Sequence, residues 1–191
     1  GSTSTTLADY YFGAEGKVRL KSGTNFSTVL GNAGTQRDYN VITTLAELRS
    51  SGSADFALGD DIDAVETAAS LFNPLVLQDG KYVDGLGNAI SGLTIRTVEN
   101  NVGLVEMIQA NSRIRNLGLK NVMVNGGSYV GALAGVSYGT VTNSYATGAV
   151  SGTSSVGGLV GYNNAGQVTN SYSTVAVIGS QDLVGGLVGD N

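Results

Sequence analysis

An all-β fold, a parallel β-solenoid, is predicted for this 191-residue chain by three observations. A sequence block recurs at a period of about 27 residues. Each copy holds short runs rich in Val, Leu, Ile, Thr and Tyr, parted by Gly, Asn and Ser. No stretch of the repeat shows the periodicity of an amphipathic helix. Helical repeats are further disfavoured because each interior Gly costs a helix about 1 kcal/mol, and this half of the chain is saturated with Gly. Short strands on a fixed period stack instead as coils, each roughly 4.8 Å above the last.

Composition narrows the chemistry. The 29 Gly are roughly twice the usual share. The absence of Cys removes any disulfide framework, and the absence of His removes a Ser-His-Asp triad, an HExxH zinc site and an imidazole base. Ten basic and fifteen acidic residues give a net charge of −5. All the Lys and Arg precede residue 121, and residues 121–191 carry only Asp182 and Asp190. Such a surface binds phosphate poorly, so nucleic acid is not an expected partner. No run of 18 apolar residues occurs, so no membrane insertion as a helix is expected.

The elements follow in chain order. Residues 1–16 form an N-terminal segment in which Gly1-Ser2 reads as a cloning scar; it lacks the regions of a signal peptide, and any leader is expected upstream. Residues 17–101 are expected to form irregular coils. Lys17-Val-Arg-Leu-Lys21 alternates as a strand does, with Val18 and Leu20 facing in. Residues 44–50 are the best helix, because Thr44 and Glu47 form a capping box ahead of Leu48; two turns should decorate or cap the solenoid. Phe56, Leu58 and Ile62 take core positions in an alternating stretch. Residues 64–80, with Asn73-Pro74, read as a loop excursion. Ile90-Ser-Gly-Leu-Thr-Ile95 reads as an early version of the block at Ile114, 24 residues on.

Residues 102–191 carry the regular repeat. Val-Gly-Ala-Leu-Ala-Gly at 130–135 matches Val-Gly-Gly-Leu-Val-Gly at 156–161 and at 184–189, with a weaker copy at 102–105. Successive copies step by 28, 26 and 28 residues, while Asn116, Asn143 and Asn170 step by 27 and 27. Val and Leu should point inward, with glycines at tight corners. Asn116, Asn143 and Asn170 then form a ladder, and Tyr145 and Tyr172 a stacked column. Coils of 24–28 residues over the whole chain make about seven turns and a rod of roughly 35 Å. The sequence stops within a copy without an altered, capping repeat. A fragment of a longer protein is therefore expected, with end-to-end self-association through its open edge.

At these residues the chain resembles the GLUG-motif region of filamentous-haemagglutinin-like bacterial surface adhesins. The Gly-Leu-aliphatic-Gly signature stands at 158–161 and 186–189, and loosely as Ala-Leu-Ala-Gly at 132–135. Thr-Asn-Ser-Tyr-Ala-Thr-Gly at 142–148 accompanies it, and the upstream runs at 39–42, 56–63, 84–88 and 90–95 keep the same order. The resemblance covers roughly residues 39–191. It implies a right-handed parallel β-helix, exported by a two-partner or autotransporter route to a Gram-negative outer surface. It also implies a stalk or scaffold in attachment, aggregation or biofilm formation, with a host or matrix receptor as partner. It supplies no catalytic residues. Two departures are Ala132 in a Gly position and Phe72-Asn-Pro-Leu75 in place of an aromatic-Pro-aliphatic-Gly stretch.

Candidate sites are few. Asp60, Asp61 and Asp63, with Asp55, have the oxygen chemistry for Ca²⁺, but no EF-hand spacing, and a solvated acidic turn is the simpler expectation; no cofactor is expected. The same acids with Arg96 or Arg113 are the only materials for a polysaccharide-cleaving site. No enzymatic activity is expected, and that reading ranks third. Tyr138, Tyr145, Tyr162 and Tyr172 are candidate glycan-binding residues, since exposed rings stack on sugars. Packing of a thin coil is the plainer role for them, and a glycan-binding module is the second functional reading.

Overall fold

The computed structural model describes residues 16–29 and 36–191. The expectations for Gly1-Ser2 and the rest of 1–15 lie outside the described residues. The chain winds as a parallel β-solenoid of about five turns. Each turn contributes a strand to three sheets in succession and returns one layer higher.

The first sheet stacks Gln36–Ile42, Phe56–Leu58, Tyr82–Asp84, Arg113–Arg115, Thr140–Thr142 and Gln167–Thr169, all parallel. The second stacks Ile62–Asp63, Ala89–Ser91, Gly118–Asn125, Tyr145–Gly152 and Tyr172–Gly179, with Thr94–Arg96 also seated on Gly118–Asn125. The third stacks Leu75–Val76, Val105–Ile108, Ala134–Ser137, Val160–Asn163 and Val188–Asp190.

The register follows the repeat read from sequence. Val102 pairs with Val130, Val130 with Val156, and Val156 with Val184. Arg115 pairs with Thr142, and Thr142 with Thr169, which sets Asn116, Asn143 and Asn170 one above another. Val156, Leu159 and Val160 are buried, as are Phe56, Leu58 and Ile62 below them. One continuous apolar core runs up the axis.

Three expectations need correction. The solenoid has about five turns rather than seven, so its stacked length is roughly 24 Å. Dividing chain length by period counts every residue as coil, whereas among the described residues Asn25–Val29 pairs antiparallel at one edge and adds no coil. One upstream coil is also longer than 24–28 residues: Tyr82 pairs with Arg113, 31 positions on, and Leu75 with Val105, 30 positions on, whereas Phe56 to Val83 and Ile62 to Ile90 step by 27 and 28. Second, Ile90 stacks between Ile62 and Leu119, not beneath Ile114, whose partner below is Val83. Ile-x-Gly-Leu and Ile-x-Asn-Leu have the same apolar pattern, and only the pairing tells them apart. Third, residues 64–80 do not leave the solenoid. They contain a 3₁₀ turn, Val65–Ala68, and then Leu75–Val76, the lowest strand of the third sheet. Phe72, Leu75 and Leu77 are buried in the common core, so the Pro marks a bend within a coil.

The lower end is closed. Asn25–Val29 pairs antiparallel with Gln36–Ile42 at the edge of the first sheet. The helix Leu45–Arg49 follows, with Thr44 and Glu47 forming the reciprocal capping box and Leu45 and Leu48 entering the core. Residues 17–21 form no regular strand. Even so, Val18 N donates to Leu86 O at 2.9 Å and Leu20 N to Gly59 O at 2.8 Å, with both side chains turned inward. Asn88 ties this segment down, donating through Nδ2 to Val18 O and Leu58 O, each at 2.9 Å.

Phe26, Tyr39, Val41, Ala57 and Leu86 make a second apolar cluster at this end. Burial pushes the Tyr39 hydroxyl up from 10.0 to about 12. The fold holds the neutral phenol, so this contribution is complete below pH 10 and is lost as pH rises toward 12. Tyr39→Phe should make the alkaline loss of stability shallower over that window, read as the urea midpoint against pH. An unchanged slope would exclude Tyr39 as its source.

Candidate functional site

The most ordered polar feature lies at the corner between the first and second sheets. Asn116, Asn143 and Asn170 adopt φ of 53°, 50° and 48°, the left-handed region that Asn tolerates better than most residues. Each turns the chain sharply directly after a first-sheet strand and two residues before a second-sheet strand begins. Asn143 Nδ2 donates to Asn116 Oδ1 at 3.2 Å, and Asn116 Nδ2 donates to Asp84 Oδ1 at 3.0 Å. Asn116 and Asn143 are thus bonded one above the other on a carboxylate, and Asn170 is stacked over them by register alone.

Asp84 is almost wholly buried. Its Oδ1 also accepts Leu86 N at 3.0 Å, and its Oδ2 accepts Arg115 Nε at 2.7 Å. A second ladder runs beside the first. Ser144 Oγ accepts Leu117 N from the coil beneath at 3.3 Å and donates to Thr142 O at 3.0 Å. Ser171 Oγ repeats this, accepting Ser144 N at 3.1 Å and donating to Thr169 O at 2.9 Å. Sequence reasoning missed both Asp84 and the serines. The serines had a signal, the Thr-Asn-Ser triplet recurring at 142–144 and 169–171; Asp84 lies below the regular repeat and had none.

The tyrosines separate into two faces. Tyr145 and Tyr172 stack on the outside of the second sheet, with ring centroids 5.2 Å apart and planes within 5°. Gly118 lies under Tyr145 in register, and a Cβ there would meet the ring at 2.6 Å. The ring faces of this column are turned on one another, and Tyr172, at 54% exposure, presents the free one. Tyr162 lies within the strand Val160–Asn163 and packs against Tyr129 at 5.6 Å. Tyr138 follows the strand Ala134–Ser137 and is exposed. The four do not form one platform.

The acidic residues are each engaged locally. Asp61 accepts from Lys17 Nζ and from Ala89 N at 2.8 Å. Burial raises its pKa, but these two donors outweigh that and hold the carboxyl below its ordinary value. Asp60 Oδ1 accepts Asp61 N at 2.8 Å and sits 3.3 Å from Arg19 Nε. Asp63 Oδ1 accepts Val65 N at 3.0 Å. Asp55 bridges Arg37 Nη1 at 3.0 Å and Tyr82 N at 2.8 Å, beneath an Arg37 guanidinium lying 3.6 Å over the Tyr82 ring. Among the described residues no group of three or more His, Cys, Asp or Glu is placed to hold a metal ion. Arg113 lies 5.6 Å from the Tyr82 ring centroid and Arg96 contacts Met123 Sδ, so neither is joined to those acids. No helix among the described residues is long and apolar enough to cross a membrane.

The uppermost Asn-Ser corner, Asn170 and Ser171, and the third-sheet strand Val160–Asn163 fall on the segment that comparison with known families recognises. Residues 152–178 match the GLUG motif. That stretch holds one full copy of the Gly-Leu-Val-Gly signature, the Thr-Asn-Ser corner and the second-sheet strand above it. The chain is also similar to halomucin of Haloquadratum walsbyi, at 33% identity over 184 residues, covering 86% of this chain and 2% of the relative. The chain thus spans about 2% of the length of the curated relative it matches. No solved structure matches.

Proposed function

We propose that the chain is a stiff spacer segment of a very large secreted or cell-surface protein, holding binding elements away from the cell in attachment, aggregation or biofilm formation. The observation that carries this reading is the coil-to-coil ladder: Asp84, Asn116 and Asn143 are joined side chain to side chain up one edge. Ser144 and Ser171 tie backbone to side chain beside them. A coil cannot slide or splay without breaking several such bonds together, which is the property a spacer needs. The GLUG motif and the small fraction of a very long relative that the chain covers support placement within a larger surface protein. Display on a Gram-negative surface by two-partner or autotransporter export, as in filamentous-haemagglutinin-like adhesins, is the finer form of this proposal. No catalytic step and no cofactor is assigned to this segment.

Substitution of the segment in its parent protein tests the reading. Deleting residues 16–191 should reduce attachment of cells displaying the parent. An unrelated β-solenoid of equal length should restore it. If the substitute is displayed at normal levels and attachment stays lost, the spacer reading fails and a specific binding face replaces it.

A further inference from the structure

The chain holds two methionines, Met107 and Met123, and they sit differently. Met107 lies in the third sheet between Val76 below and Val136 above, and is half-buried. Met123 lies in the second-sheet strand Gly118–Asn125 and is 46% exposed. Val122 and Val124 on either side of it are buried, and side chains alternate along a strand, so Met123 stands on the outer face. Its partners in register are Thr94 in the coil below and Ala149 in the coil above, which leaves only a small side chain over the thioether.

Arg96 reaches the sulfur from the coil beneath. It pairs in register with Asn125, two residues along, and its Nη2 donates to Met123 Sδ at 3.1 Å. Among the described residues Arg96 forms no salt bridge. A thioether is a weak acceptor, so a strong cationic donor here meets a poor partner.

We propose that Met123 is a site of reversible oxidation whose sulfoxide is held by Arg96 as an added bond between two coils. The oxidant is a hydroperoxide. Sulfur carries two lone pairs, and the bond to Arg96 leaves one to attack the terminal peroxide oxygen. The S–O bond forms as the O–O bond breaks. The proton on the transferred oxygen passes to the leaving oxygen, which departs as water when the oxidant is hydrogen peroxide. Sulfur gives up two electrons and the peroxide takes them. The new oxygen is a far better acceptor than the thioether was, and a hydrogen bond to it from guanidinium is charge-assisted. Rotation about the three flexible bonds of the side chain brings it to Arg96. Sulfoxide formation disrupts a methionine packed in a core, but Met123 lies outside the core and loses no such contact. Oxidation therefore ties the strand Gly118–Asn125 more firmly to the coil beneath. This holds whether or not the segment is a spacer.

Dilute hydrogen peroxide, followed by peptide mapping, tests the site. Met123 should gain its oxygen several-fold faster than Met107. In Met107→Leu, a volume-conserving change, Met123 is the single methionine. The oxidised form of that protein should have a urea midpoint about 0.3–0.5 M above the reduced form. Methionine sulfoxide reductases should return the midpoint to its starting value. With Arg96→Ala added, oxidation should leave the midpoint unchanged or lower it. Faster reaction at Met107, a midpoint that stays or falls when Met123 is oxidised beside Arg96, or a rise that survives Arg96→Ala would each overturn the proposal.

Discussion

Asp84→Ala is expected to destabilise the protein by about 3–5 kcal/mol, the range for removing one partner of a buried charge pair. The side chain is 1% exposed and Arg115 is little more open, at 14%. Alanine deletes the acceptor for Arg115 Nε, Asn116 Nδ2 and Leu86 N together. Each is an inward donor that water reaches poorly, so the loss is one of desolvated groups left without this acceptor rather than of one modest bond. Asp84→Asn keeps an oxygen for Leu86 N and should cost less. Charge is then the part that remains, and a double-mutant cycle with Arg115→Ala isolates it. The measurement is the urea midpoint at constant slope. A change below about 1 kcal/mol, the usual size of an exposed pair, would mean the ladder does not rest on this carboxylate.

The position of Asp84 also shows what the sequence could and could not disclose. The three asparagines were legible because they step in phase with the apolar blocks, and phase alone places them at one corner. The helix was legible because a capping box is a local signal, and its residues are those the structure uses. Asp84 is one Asp among several in the irregular half, and its role exists only once the first sheet sets it beside Arg115. A second left-handed corner was equally hidden. Asn101, Tyr129, Ser155 and Leu183 all take φ between 50° and 66°, one step before Val102, Val130, Val156 and Val184. Four different side chains occupy that corner and none is Gly, so composition gave no sign of it. The coil count failed for a related reason. Period predicts stacking where repeats are regular, and says nothing about residues that close an end.

That hidden corner explains which glycines of the repeat are obligatory, and Gly161→Ala is the sharpest test. A Cβ at Gly161 would lie 2.4 Å from Val130 N and 2.5 Å from Tyr129 C. Gly135 meets Asn101 and Val102 in the same way, and Gly189 meets Ser155 and Val156. In each copy the last Gly of the signature therefore rests on the left-handed corner of the coil beneath. The atoms it would strike are backbone, so no rotamer change relieves the clash; the coils must part, and the adjoining ladder bonds stretch with them. Overpacking of this kind reaches about 3 kcal/mol or more, and Gly161→Ala should lose that much in the same urea measurement. The middle position differs from copy to copy. A Cβ at Gly158 would meet Ser173 Oγ at 2.1 Å and Gly186 O at 2.2 Å. Gly186 has open space there, and Ala132 fills the place in a lower copy, at the level of Ala146 where the next coil has Ser173. Gly186→Ala should therefore stay within about 0.5 kcal/mol, or gain slightly from a stiffer unfolded chain. Equal effects at 161 and 186 would show that glycine is needed for turn conformation generally, and not because one backbone lies against the next.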